Sequence, residues 1–218
     1  MKADLIDIYH GDVISDDFFH NVINGGGQGV ILKCTQGVGY VDPAYSERMK
    51  RLLSLPPSDS KAGLYAGDYM FGLLDGTICK QAMFYVNQSM IMNTVGTIKP
   101  VFDLETEPSV RRLVWENDLE KALKMVKRLT GCFPIIYTGL AFYDEWLKDI
   151  LPATTYSYWI ADYGDGRGDN PVPNVPALLW QFTSDYVVEG ERSGNPDGGG
   201  FDGCRLMPGV KWGGVLKG

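Results

Sequence analysis

The chain is poor in the residues that many catalytic and binding chemistries require. Only two histidines, His10 and His20, occur in 218 residues, and no serine sits in a Gly-x-Ser-x-Gly frame. A Ser-His-Asp hydrolase needs an imidazole within reach of its nucleophile, so that class is disfavoured. The four cysteines (Cys34, Cys79, Cys132, Cys204) are scattered, with no Cys-x-x-Cys and no Cys-His spacing. Zinc sites and redox dithiols both depend on such spacing, so the four read as buried free thiols. No basic run is longer than Arg111-Arg112, and the net charge is −7. A nucleic-acid partner calls for a positive stripe against its phosphates and is therefore not expected. No apolar stretch approaches the roughly 20 residues of a spanning helix. Charged residues interrupt the opening MKADLIDIYHGD, so neither a signal peptide nor a membrane partner is expected. Synthesis in the cytosol is the corresponding expectation.

What is present points to one α/β domain over residues 1–218. Hydrophobic residues make up 44% of the chain, enough for one well-buried core. Strand and helix signals alternate. ADLIDIY (3–9), GVILKCT (29–35), 63–71, KPVFDLE (99–105), FPIIYT (133–138), SYWIADY (157–163) and ALLWQFT (177–183) read as strands. Between them, Ser15 is placed to cap a short helix, and Asp42-Pro43 opens one with Tyr45, Met49, Leu52 and Leu53 on a single face. KQAMFYVNQSMI reads as a helix, as does FYDEWLKDIL before Pro152. A helix near 117–130 keeps Leu119, Leu123, Val126 and Leu129 in period until Gly131. SLPPSDSK reads as a surface loop, and the last forty residues show little helical signal. Alternation of this kind predicts a parallel sheet flanked by helices, buried on both faces. An open doubly wound sheet and a closed barrel both satisfy it. About eight strand candidates in so short a chain favour the barrel.

In such barrels the chemistry gathers at the C-terminal ends of the strands. Acidic residues collect there: Asp7, then Asp103 and Glu105, then Asp162, then Asp185 and Asp202. Residues i and i+2 of a strand share a face, with Cα atoms about 6.5–7 Å apart. Asp103 and Glu105 would then point into the barrel mouth together, while Leu104 packs outward. Two close carboxylates resist sharing one ionisation state, which leaves a protonated acid beside an ionised partner. Glycosidic cleavage uses that division of labour, with an acid for the leaving oxygen and a negative charge near the oxocarbenium-like carbon. The plainer reading is a solvated strand end, and the spacing alone does not decide between them. His10 lies close enough to Asp7 to reach the site, whereas His20 reads as surface or packing. Gly25-Gly26-Gly27-Gln28-Gly29 precedes a strand rather than a helix, so it reads as a helix stop rather than a phosphate cradle. Asp162, Asp165 and Asp169 hint at calcium but lack the twelve-residue loop, and a solvated loop is the better reading.

At this point the pieces resemble glycoside hydrolase family 25, the Chalaropsis-type lysozymes common among phage endolysins. LIDIYHGD is similar to the family's opening strand, and VILKCTQGVGYVDPAY to its second strand with the Lys-Ala-Thr-Glu-Gly stretch. AGDYMFG, PVFDLE, PIIYTGLAFY, YWIADYG and LLWQFTSD follow in the family's order, and GGFDGCRL stands at its closing aspartate. The resemblance implies a flattened, TIM-like barrel of eight strands with fewer outer helices. It also implies N-acetylmuramidase activity on the glycan strands of bacterial peptidoglycan. Glu105 takes the family's general-acid position. Asp103 would orient the substrate's 2-acetamido group if that group is the internal nucleophile; retention and inversion both stay open. Asp7 and Asp202 take the other acidic rim positions. Tyr69, Tyr137, Trp159, Asp162 and Trp180 resemble groove residues, and each of the four aromatics is equally readable as core. The chain departs from the family's pattern at Tyr9-His10-Gly11-Asp12, at Met70 and at Gln36, which replaces a glutamate. These departures imply altered substrate preference.

Two carboxylates and water suffice for this reaction, so no metal or organic cofactor is expected. Release to the cell wall in the manner of a phage lysin is the matching expectation for location, with oligomeric state left open. Two alternatives remain. A chitinase-like hexosaminidase would carry a longer acidic series, and Ile98 and Pro100-Val101 interrupt it here. A catalytically inactive, wall-binding barrel would have lost a rim carboxylate.

Overall fold

The structure is a computed structural model that describes residues 2–56, 63–91, 98–164, 172–191 and 199–217. Its strands are β1 (Leu5–Ile8), β2 (Gly29–Gln36), β3 (Tyr40–Val41), β4 (Tyr65–Phe71), β5 (Val101–Asp103), β6 (Ile135–Gly139), β7 (Ser157–Ala161), β8 (Leu179–Tyr186) and β9 (Phe201–Leu206). Eight of them form a ring in the order β1-β9-β8-β7-β6-β5-β4-β2, which the β1–β2 pairing closes, and β3 is appended to β2. The helices are α1 (Phe18–Asn24), α2 (Tyr45–Leu53), α3 (Ile78–Ile91), α4 (Arg112–Thr130), α5 (Leu140–Phe142) and α6 (Trp212–Val215). Among the described residues, no helix is long and apolar enough to cross a membrane.

The closed barrel matches the sequence reading, but the sheet is mixed rather than parallel. β9 runs antiparallel to both neighbours, β1 and β8. A parallel return needs a crossover, usually a helix, and the Gly-rich stretch before β9 offers no helical pattern to supply one. That strand lies in the tail read as having little helical signal, and its Phe201 and Cys204 are buried.

Strand alternation sorts the core into two layers. Leu5, Ile31, Val101, Ile135, Leu179 and Cys204 face inward and fill the barrel, while their neighbours Ile6, Val30, Phe102, Ile136 and Trp180 face the helical layer. Both faces are apolar, which is why the strands read as unbroken hydrophobic runs. In α4, Trp115, Leu119, Ala122, Leu123 and Val126 cover the sheet, and the helix starts five residues earlier than its period suggested. Leu129 falls outside that face, at 46% exposure. Gly131 then ends the helix in the left-handed region at φ 85°, its N–H donating to the Lys127 carbonyl.

Several local expectations are corrected. Ser15 does not cap α1; its hydroxyl accepts from the Asp17 N–H and donates to Glu191 at 2.6 Å. In α2 the buried face is Tyr45, Met49 and Leu52, with Leu53 turned outward. Asp42 stands two residues before the N-cap, Ala44, whose N–H donates to its carboxylate at 2.9 Å. The segment read as one helix over FYDEWLKDIL is a short α5 followed by a π-turn at Tyr143–Leu147. The glycine run after α1 is a helix stop as read, with Gly26 at φ 77°. All four cysteines are free, with Cys34 and Cys204 buried and Cys79 and Cys132 half-buried. Most of the SLPPSDSK loop, and Asp165 and Asp169 of the calcium reading, lie outside the described residues.

Candidate active site

The ring's register assembles the carboxylates at one mouth. Asp7 on β1 is the direct partner of Asp202 on antiparallel β9, which sets their Cα atoms about 5 Å apart. Across the barrel, Asp103 ends β5 between Phe71 of β4 and Tyr137 of β6. Asp103 is buried and Leu104 points out into the helical layer, fully covered. Glu105, two residues on, is exposed at the mouth. The shared-face argument therefore holds even though the regular strand stops at Asp103. The turn beyond it is tied down by Leu104 N–H donating to the Tyr137 carbonyl at 2.9 Å and Thr138 Oγ1 donating to the Leu104 carbonyl at 2.7 Å.

The electrostatics are dominated by burial with like charge. Burial raises the Asp7 pKa well above its ordinary value, and the Asp202 and Asp103 charges push it further. Asp103 is likewise raised, first by burial and then by Glu105, against the opposing field of Lys33. Glu105 reaches solvent, yet the surrounding wall desolvates its carboxyl enough to raise it; hydrogen bonds with Asp103 and Tyr137 and the Lys33 charge limit the rise. Asp202 is pushed up to about 6 by burial and by Glu105. Asp12, on the turn after β1, is pushed up to about 7, chiefly by burial. One oxygen each of Asp7 and Asp103 is buried without a hydrogen-bond partner. Buried unsatisfied carboxylate oxygens are costly, and their convergence in a cleft marks a site kept for chemistry.

The aromatic positions divide. Tyr69, Tyr137 and Trp159 face into the barrel under the carboxylates, with Tyr137 and Trp159 packed edge to face at 4.8 Å between centroids. At 1% exposure Trp159 is part of the floor and presents no open stacking face. Trp180 does not face the mouth. Strand alternation turns it to the outer layer, where its ring packs on Phe182 and its indole N–H donates to the Asp162 carbonyl at 2.9 Å. Asp162 does not join the acidic cluster either; its carboxylate accepts from the Gly164 N–H within its own turn. Asp185 is exposed and accepts from the Gly200 N–H at 2.6 Å, bracing the start of β9. The ring of His10 pairs with buried Asp42, its Nδ1 lying 2.9 Å from that carboxylate. His20 is exposed, as read.

Three residues of the mouth escaped the sequence reading. Lys33 faces inward from β2 and donates to Gln36 Oε1 at 2.7 Å. Gln181 faces inward from β8, where its amide donates to the Tyr163 hydroxyl at 2.7 Å, and it also bonds Asp202. Tyr163 continues the rim after β7 and bonds Tyr137. Inward parity from Leu179 was the available signal for Gln181, and inward parity from Ile31 for Lys33.

A closed eight-stranded barrel with converging carboxylates at the C-terminal ends of its parallel strands defines a glycosidase-type site. The sequence matches the family described as Glycosyl hydrolases family 25 over residues 6–191, and the chain belongs to that family. Curated relatives include the uncharacterised protein YegX of Escherichia coli strain K12, 27% identical over 163 residues. That match covers 75% of this chain and 55% of YegX, so the chain spans about half the length of the curated relatives it matches. Among solved structures, a muramidase from Trichobolus zukalii is 24% identical at a TM-score of 0.67, covering 93% of this chain and 92% of that one. The catalytic domain of endolysin ply40 from Listeria monocytogenes bacteriophage P40 superposes at a TM-score of 0.74 with 19% identity, covering 95% and 94%. A bacterial lysozyme from Streptomyces coelicolor gives 0.67 with 20% identity, covering 92% and 90%. At these identities the likeness speaks for the fold.

Proposed function

We propose that this chain is a lysozyme-type muramidase that hydrolyses the β-1,4 bond between N-acetylmuramic acid and N-acetylglucosamine in peptidoglycan. The observation that carries it is the pairing of buried Asp103 with solvent-facing Glu105 in a carboxylate-rich mouth. Family membership and the named muramidase and lysozyme neighbours support the same reading. Place of action follows from substrate: the protein works on the cell wall.

The Asp103–Glu105 pair titrates as a unit and holds one proton between its two acidic steps. In the empty site, deeper burial draws that proton to Asp103. A bound sugar changes the balance. Its acetamido N–H bonds an Asp103 carboxylate more strongly than a protonated Asp103, which favours moving the proton to Glu105. Glu105 then stands protonated at the mouth, where a glycosidic oxygen can receive it. Tyr137 donates to Glu105 and steadies it as the bond breaks. The Asp7–Asp202 pair opposite supplies negative charge toward an oxocarbenium-like ring.

The test is the identity of the new chain ends. Purified peptidoglycan is digested, reduced with borohydride and read by mass spectrometry. Muramitol ends are the expected product. Glucosaminitol ends would reassign the bond cut, and no new ends from several wall types would refute the activity.

A further inference from the structure

We propose that Lys33 is a positioning residue that sets the ionisation of the Asp103–Glu105 pair, and that Gln36 holds its ammonium at the mouth without neutralising it. The proposal rests on the muramidase reading for its effect on rate, but its electrostatic core does not.

The geometry starts with strand register. Lys33 is the β2 partner of Tyr69 on β4, and Phe71, two residues further along β4, is the partner of Asp103 on β5. The Lys33 Nζ lies 4.8 Å from the centre of the Phe71 ring. The ammonium thereby sits over the β4 residue that pairs with Asp103, and its charge favours the ionised forms of both Asp103 and Glu105. Its hydrogen-bond partner is the neutral amide of Gln36 at 2.7 Å. A glutamate at that position, as in the pattern this sequence departs from, would pair with the ammonium and cancel most of its field at the acids. Glutamine keeps the tether and leaves the charge available.

The other groups around the pair work in the opposite direction or are neutral. Asp7 and Asp202 face it from β1 and β9 as like charges, and Tyr69, Tyr137 and Tyr163 face it as phenols whose own ionisation is suppressed. Lys33 therefore offsets a mouth that is otherwise acidic. Without it, both steps of the pair move to higher pH, and the whole rate profile moves with them. A unit charge about 6–8 Å away, at an effective dielectric near 20, shifts such a profile by about 1.5–2 pH units.

The test uses four proteins: wild type, Lys33→Met, Lys33→Arg and Gln36→Glu. The first readout is a carbon-13 NMR titration of the Asp103 and Glu105 carboxyls, which needs no turnover. The second is the pH dependence of kcat/KM on peptidoglycan. Lys33→Met and Gln36→Glu are expected to raise both titration midpoints and move the rate profile up by about 1.5–2 pH units. Lys33→Arg, which keeps the charge, is expected to restore the wild-type values. A purely structural lysine would lower activity without moving either midpoint, and unmoved midpoints in Gln36→Glu would overturn the proposal. Moved midpoints in a protein that cleaves no peptidoglycan would leave the Lys33 assignment standing and remove the muramidase reading.

Discussion

Replacing Asp202 with Asn should make the protein more stable at neutral pH while destroying part of its site. Asp202 is pushed up from 3.8 to about 6, chiefly by burial and then by the charge of Glu105. The folded state therefore binds this proton more tightly than the unfolded chain does. That preference stabilises the fold fully below pH 3.8 and is lost as the pH rises through about 6. Two pH units correspond to about 3 kcal/mol. The side chain is only partly buried, so solvent screening brings the expected value to about 2 kcal/mol. Asparagine never ionises and keeps the amide oxygen that Gln181 can bond. At pH 8, Asp202→Asn should then be more stable than wild type by about 2 kcal/mol, or about 4–8 °C in Tm for a chain of this size. At pH 3.5 the two should coincide. Urea unfolding followed by circular dichroism at both pH values, with m-values compared, reads the difference directly. Equal stability at pH 8, or a variant that loses ground as the pH rises, would refute the claim that the mouth is held together under electrostatic strain.

Other outcomes follow from the same geometry. Tyr137→Phe removes a donor that lowers the Glu105 pKa, so the basic limb of the rate profile should move upward, as a pH series of initial rates would reveal; an unmoved limb counts against that contact. Trp159→Ala should cost about 3–5 kcal/mol, because it empties a fully packed position beneath the carboxylates. Denaturant unfolding checks it, and a loss under 1 kcal/mol would mean that the floor collapses to fill the space. Gly131→Ala should cost about 1 kcal/mol through its φ of 85° alone, since nothing lies within 4 Å of the added carbon; a thermal melt without a shift would contradict this.

The parts of this fold that were legible from sequence are those set by local rules. Strand period placed Asp103, Leu104 and Glu105 on the correct faces, because parity depends only on the pleat. The same rule applies to Trp180, which the family resemblance places in the groove; counted from inward-facing Leu179, it has to point outward. β9 was hidden for a different reason. Its strand character comes from two long-range pairings, with β1 at one edge and the length of β8 at the other, and its own glycines give little local strand signal. Asp202 could be assigned to the rim by family resemblance, but its register with Asp7 could not be read locally. His10 shows the same limit, since its partner Asp42 is thirty-two residues away. Lys33 is the instructive omission. A lone lysine in an apolar strand, with its neighbours buried on both sides, is itself a signal that the inward face reaches a polar mouth.

The most direct test of the central claim is the rate of peptidoglycan cleavage by Glu105→Gln beside wild type, each shown by circular dichroism to be folded. Glutamine keeps the shape and the bond to Tyr137 but has no proton of suitable acidity to give. The account predicts a loss of several orders of magnitude in kcat with an unchanged melt, on the order of 10²–10⁴ or more for a lost general acid. Cleavage within a few-fold of wild type would contradict it and would move the acid to another carboxylate of the mouth.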